Sequence, residues 1–112
     1  MYTVQEDAYK GREFEFPSEG RIEYSATVRT GPAVDFYVME QSEVTYLANQ
    51  ERFQYIEKAS QPDATGAEVT ADLPSGNYSM VIDNTNAGEA QPPTNFDDDI
   101  AEVDFSMTLY DL

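Results

Sequence analysis

Apolar and polar residues alternate with a period of two along most of this chain, the signature of strands with one face buried. In RIEYSATVRT, Ile22, Tyr24, Ala26 and Val28 fall on one face and Arg21, Glu23, Ser25, Thr27 and Arg29 on the other. Gly31-Pro32 then supplies a turn, and AVDFYVM places Val34, Phe36 and Val38 together, so the two segments read as an antiparallel hairpin. REFEF sets Phe14 and Phe16 against Glu13 and Glu15, before a turn at 17–20. AEVTADL turns Val69, Ala71 and Leu73 inward and joins NYSMVID (Tyr78, Met80, Ile82) through Pro74-Ser75-Gly76, a second expected hairpin. The longest clean alternation closes the chain, with Val103, Phe105, Met107 and Leu109 on one face.

One segment breaks the period. Val44, Leu47 and Ala48 behind a Ser42 N-cap predict a short helix crossing one end of the sheets, after which Phe53 and Tyr55 resume as a strand. Two polar loops remain, at about 59–66 and 84–99. The expectation is one domain over residues 1–112, an all-β antiparallel β-sandwich of jelly-roll or Greek-key type. It has about seven or eight strands and one short helix, with a closed barrel as the alternative. Tyr24, Phe36, Tyr78 and Phe105 read as core. Tyr37 and Tyr110 lie on the opposite faces, where second-face packing is expected before an exposed tyrosine patch.

Charge changes the picture most. Twenty-two Asp and Glu stand against six Lys and Arg, a formal net charge of −16. Repulsion of that size opposes compaction at low ionic strength, and molar salt, with a Debye length of about 3 Å, screens it. The composition therefore points to a hypersaline environment. It argues against nucleic acid, since phosphate binding draws on clustered Lys and Arg, and against an anionic membrane surface. No apolar run approaches the ~18 residues of a spanning helix, so no membrane insertion is expected. MYTVQEDAYK has neither a basic region nor an apolar core, so it does not read as a signal peptide. A cytoplasmic protein, a fragment freed of its leader and a virion component stay open. A virion or cell exterior is expected over the cytoplasm.

With His 0 and Cys 0, there is no Ser-His-Asp triad, thiol nucleophile, disulfide or common zinc set. No Gly-rich phosphate loop or GxSxG occurs, and carboxylate pairs arise by chance among so many acids. A non-enzyme without a cofactor is the expectation. Two oxygen-rich stretches suit a hard cation such as Ca²⁺: Asp83, Asn84 and Asn86, and Asp97, Asp98 and Asp99. Turn chemistry is the competing account of both. Asn77-Tyr78-Ser79 is a glycosylation acceptor if the chain reaches the exterior.

From Gly20 to Tyr110 the order of features resembles GOLD-like β-sandwich modules. GRIEYSATVRTGPAVDFYVME looks like the family's hairpin with its "vDfyv" strand, LPSGNYSMVIDNTNAGEAQPP like its "L-x-x-G-x-Y" strand ending in "DN", and AEVDFSMTLYD like the closing strand. Pre-peptidase C-terminal sandwiches are similar in the same "L-x-x-G-x-Y" stretch, and the acidity suggests a haloarchaeal type. The chain lacks the Cys pair of eukaryotic GOLD members. The resemblance implies a binding or accessory role with no catalytic residues. Two functions follow as expectations. The first is a non-enzymatic structural or interaction module of a high-salt assembly (virus particle or cell surface), with protein partners in a homo- or hetero-oligomer. The second is an accessory module of an exported haloarchaeal protein that binds Ca²⁺ or carbohydrate.

Overall fold

In the computed structural model, which describes residues 2–85, 87–90 and 99–112, the alternating segments become eight strands. These are β1 (Tyr2–Val4), β2 (Tyr9–Phe16), β3 (Gly20–Thr30), β4 (Val34–Glu40), β5 (Gln61–Ala64), β6 (Gly66–Leu73), β7 (Gly76–Asp83) and β8 (Ala101–Asp111). The helix α1 (Gln41–Ala48) and a 3-10 turn (Glu57–Ala59) lie between β4 and β5. Two antiparallel four-stranded sheets result, ordered β1-β8-β3-β6 and β2-β7-β4-β5. The pairs nest: β1 with β8, β2 with β7, β3 with β6 and β4 with β5. A chain doubled back on itself and rolled into two layers has this order, which is the jelly roll. The sandwich expectation holds, in its jelly-roll form.

The two expected hairpins do not form. β3 and β4 sit in different sheets, as do β6 and β7, so the turns at Gly31-Pro32 and Pro74-Ser75 cross from layer to layer. Alternation tells which face of a strand is apolar. Two consecutive strands can satisfy it side by side or facing one another across the core, and here they face. Gly31 makes its crossing at φ +99°, where a Cβ would lie 2.1 Å from the Ile100 carbonyl oxygen, a site only glycine fits.

Phe14, Phe16, Ile22, Tyr24, Phe36 and Tyr78 pack between the layers with Leu73, Met80 and Val103. Each such side chain contributes about 1.5–3 kcal/mol of burial. The buried Tyr24 hydroxyl donates to the Ala59 carbonyl at 2.7 Å, so it carries no unmet bond.

The outer faces differ. On the β1-β8-β3-β6 sheet, Glu23, Ser25, Thr27, Glu68 and Thr70 meet solvent as a polar stripe should. On the other sheet, β4 is buried on both faces from Val34 to Met39. Leu47 of α1 covers Tyr37, Met39 and Val81 there. The helix thus lies on a sheet face, where its half-buried Val44 also packs, while Ala48 is exposed. Its N-cap is Glu40, without a side-chain cap, in place of Ser42.

Residues 51–56 form no strand. They are held by Gln54 N–H to Glu43 Oε1 (2.7 Å) and Ile56 N–H to the Val38 carbonyl (2.8 Å), because Phe53 and Tyr55 turn their rings onto Tyr37. The polar stretch 59–66 contains β5, an edge strand whose Pro62 lacks the N–H an inner strand needs. Tyr37 is buried and Tyr110 exposed, so the second-face expectation holds for Tyr37 and the two do not form one patch. No helix among the described residues is long and apolar enough to cross a membrane.

Candidate functional site at the end of β7

β7 keeps Tyr78, Met80 and Ile82 in the core, so Ser79, Val81 and Asp83 project to the covered outer face. Asp83 then starts a turn of Asx type: Oδ1 accepts the Thr85 N–H (3.2 Å) and hydroxyl (2.7 Å). Thr85 Oγ1 in turn accepts the Ala87 N–H at 3.1 Å.

Asn84 points elsewhere. Its Nδ2 donates to the carbonyls of Val4 (3.1 Å) and Asp99 (2.9 Å), and its backbone bonds Ala8 and Asp7. One buried residue therefore ties β7 to β1 and the approach to β8 through its side chain, and to the β1–β2 turn through its backbone.

The six oxygen-ligand candidates do not act as one set. Asn84 and Asp99 come together, whereas Asp83 faces the other side of its strand. Asn86, Asp97 and Asp98 lie outside the described residues. Among the described residues no three Asp or Glu gather as a metal-binding group. Buried oxygens without a hydrogen-bond partner are nonetheless found on these residues: Asp83 Oδ2, Asn84 Oδ1 and Asp99 Oδ2. Asn77 is exposed at the far end of β7.

Asp35 is the residue that sequence reasoning passed over. It pairs with Asp83 across the β4–β7 ladder, and its carboxylate clamps β5 and the loop at Ala90: Oδ1 accepts the N–H of Asp63 (2.7 Å) and Ala90 (2.9 Å). A Cβ on Gly88 would lie 2.1 Å from Asp35 Oδ2, so the loop backbone passes directly over the carboxylate. Burial pushes Asp35 above the usual carboxylate range, against the pull of those two N–H donors. Burial also raises Asp83, to about 7, with the Asp35 charge and a hydrogen bond to Asp35 adding to it and the Thr85 bonds opposing it. Asp83 Oδ2 has no donor facing it, and its burial favours the neutral acid. The signal was present in VDFYV, where one carboxylate interrupts an apolar run.

Beside this pair, Tyr37 packs against Tyr55 (ring centroids 4.5 Å) and edge-on to Phe53 (5.3 Å). The Tyr37 hydroxyl accepts the Glu89 N–H at 3.1 Å, and Tyr55 donates to Glu89 Oε1 at 3.3 Å. These residues wall an open pocket of about 550 Å³, rimmed by Glu51, Arg52 and Glu89. Phe53 and Tyr55 escaped the sequence reading because they were placed in a strand.

No family model and no curated protein matches this chain. Among solved structures it is similar to the pre-peptidase C-terminal domain of collagenase from Bacillus anthracis. The TM-score is 0.51 and the identity 14%, over 94% of this chain and 88% of that one. At that identity the likeness is one of fold, and it agrees with the pre-peptidase C-terminal side of the resemblance.

Proposed function

We propose that this chain is a non-enzymatic interaction module of a high-salt assembly, a virus particle or a cell surface, acting through protein–protein contacts. The net charge of −16 and the absence of His and Cys support the reading. So does the jelly roll, by analogy of fold alone, since such folds serve as capsid and lectin domains. The observation that carries it is the pocket of about 550 Å³ over Tyr37, Phe53 and Tyr55. Aromatic faces beside the carboxylates of Glu51 and Glu89 suit a basic side chain of a partner, held by cation–π attraction and an ion pair. Chemical-shift mapping in molar KCl with acetyl-arginine amide as probe should move the amides of Phe53, Tyr55 and Glu89. Shifts elsewhere or none would remove the pocket as the contact.

A second reading is the accessory module of an exported haloarchaeal protein. The unpartnered Asn84 Oδ1 and Asp99 Oδ2 favour Ca²⁺, which takes oxygen ligands. The same aromatic pocket favours a sugar ring. Calcium titration in molar KCl should then release or absorb heat and raise the melting temperature. Neutral oligosaccharide should shift Phe53 and Tyr55 where the arginine probe does not.

A further inference from the structure

Every β-sandwich must defend its sheet edges against pairing with other chains, and proteins do so with charges, prolines and short strands. Three edges here follow that rule. β5 is four residues long and holds Pro62, β6 carries Glu68 and Asp72, and β2 carries Lys10, Arg12, Glu13 and Glu15. β8 does not. β1 pairs with it only at Ala101, Glu102 and Val103, so on that side no described strand pairs with Asp104–Asp111. That open edge contains FSMTLY, residues 105–110, a run without charge in a chain where 25% of residues are charged.

The backbone of this edge is poised to pair. Leu112 N–H donates to the Glu19 carbonyl at 3.1 Å, so even-numbered residues of β8 direct their backbone groups toward β3. The N–H and C=O groups of Phe105, Met107, Leu109 and Asp111 therefore point to the open side. Apolar surface gathers along the same strip. Three of the six large exposed hydrophobics among the described residues lie at its end, Leu109 (40%), Tyr110 (44%) and Leu112 (52%), and Tyr2 (38%) of β1 borders it, edge-on to Phe105.

We propose that the open edge of β8 pairs antiparallel with β8 of a second copy of this chain, about a two-fold axis at Thr108. In this register Met107 and Leu109 of the two copies exchange backbone hydrogen bonds, Ser106 faces Tyr110, and Thr108 faces Thr108. No carboxylate stands opposite another, and Phe105, Met107 and Leu109 of the two copies stay on one face of the continuous sheet. The pairing covers 105–111 and stops short of Val103, whose edge Tyr2 already fills. A two-fold at Met107 would instead bring Asp111 onto that occupied position. Self-complementarity in an uncharged segment selects a second copy as the occupant. The charge of −16 per chain makes the contact dependent on salt, which screens the remaining repulsion. The edge is separate from the aromatic pocket, so either can fail without the other.

Sedimentation in molar KCl should show a concentration-dependent species of twice 12.6 kDa. Leu109→Pro removes a donor aimed at the partner and none aimed at β3, so it should abolish the dimer while leaving the melting transition in place. Should that variant fail to fold, Thr108→Cys decides. The chain has no other cysteine, and directly opposed residues of a non-hydrogen-bonded pair lie about 4.5 Å apart, within disulfide reach. Oxidation should cross-link Thr108→Cys and leave the exposed Thr70→Cys uncross-linked. A wild-type chain that stays monomeric overturns the proposal. So does a dimer in which Thr108→Cys fails to cross-link, because its interface would lie elsewhere.

Discussion

Asp35 and Asp83 stand directly opposite each other on β4 and β7, and neither exposes any surface to solvent. Among the described residues, the groups that act on the pair most strongly are acids, phenols and hydrogen-bond partners: Asp63, Glu89, Tyr37, Tyr55 and Thr85. Two carboxyls so placed share one proton more easily than they carry two charges. Strand β5 and the 87–90 loop hang from Asp35, so the protonation of this pair bears on the floor of the aromatic pocket.

Stability should fall as pH rises toward neutrality. Asp83 stays neutral in the folded chain up to about 7, whereas in the unfolded chain it ionises near pH ~4. The stabilisation is complete below about pH 4 and is lost as pH climbs through about 7. Thermal unfolding of the wild type in molar KCl should therefore weaken between pH 5 and pH 8 by on the order of a few kcal/mol. Asp83→Asn, which keeps an acceptor for Thr85 and a donor for Asp35, should flatten that slope. An unchanged slope in the variant would place the titration elsewhere.

Asp35→Asn should behave differently, because the clamp needs the carboxylate. The amide nitrogen cannot accept: in the place of Oδ2 it loses the second Ala90 bond (3.1 Å), and in the place of Oδ1 it loses the bonds to Asp63 and Ala90, in either case beneath a tight Gly88. A cost of about 1–3 kcal/mol is expected, read by denaturant unfolding, with faster amide exchange at Asp63 and Ala90.

Asn84→Ala removes two side-chain bonds that join β7 to Val4 and to Asp99. It should cost about 2 kcal/mol, again by denaturant unfolding. Asn84→Asp, which loses the donor, should be no milder.

Gly31→Ala tests the crossing turn. A Cβ there meets the Ile100 carbonyl, a backbone atom that cannot move aside as a side chain can, at a φ of +99°. A loss of about 2 kcal/mol or more is expected. A neutral Gly31→Ala would contradict the placement of β8 against this turn.

The melting temperature should rise with KCl up to molar concentration, since 22 acids against six cations repel at low ionic strength. Two ion pairs occur among the described residues, Arg21 with Asp72 and Arg29 with Asp104. Both are exposed, and such pairs contribute little. Equal melting in low and high KCl would defeat the high-salt reading.

The sequence by itself determined which residues face the core. Phe14, Phe16, Ile22, Tyr24, Tyr78 and Met80 are where a period of two puts them, because alternation is a property of a single strand. It also determined that Asn77 is exposed and that the Asp83-Asn84 dipeptide ends a strand. Tertiary structure decided the partners. Whether Gly31-Pro32 makes a hairpin or a crossing depends on strands up to 80 residues away, whose contacts leave no local mark. The same holds for Asp83, which burial and Asp35 across the ladder push upward, and for Phe53 and Tyr55, which follow Tyr37 and abandon the sheet. The Asp83–Asn86 stretch looked like one ligand set because its residues are consecutive. Successive side chains of a strand point to opposite sides, and that geometry sends Asp83 to Asp35 and Asn84 to Asp99.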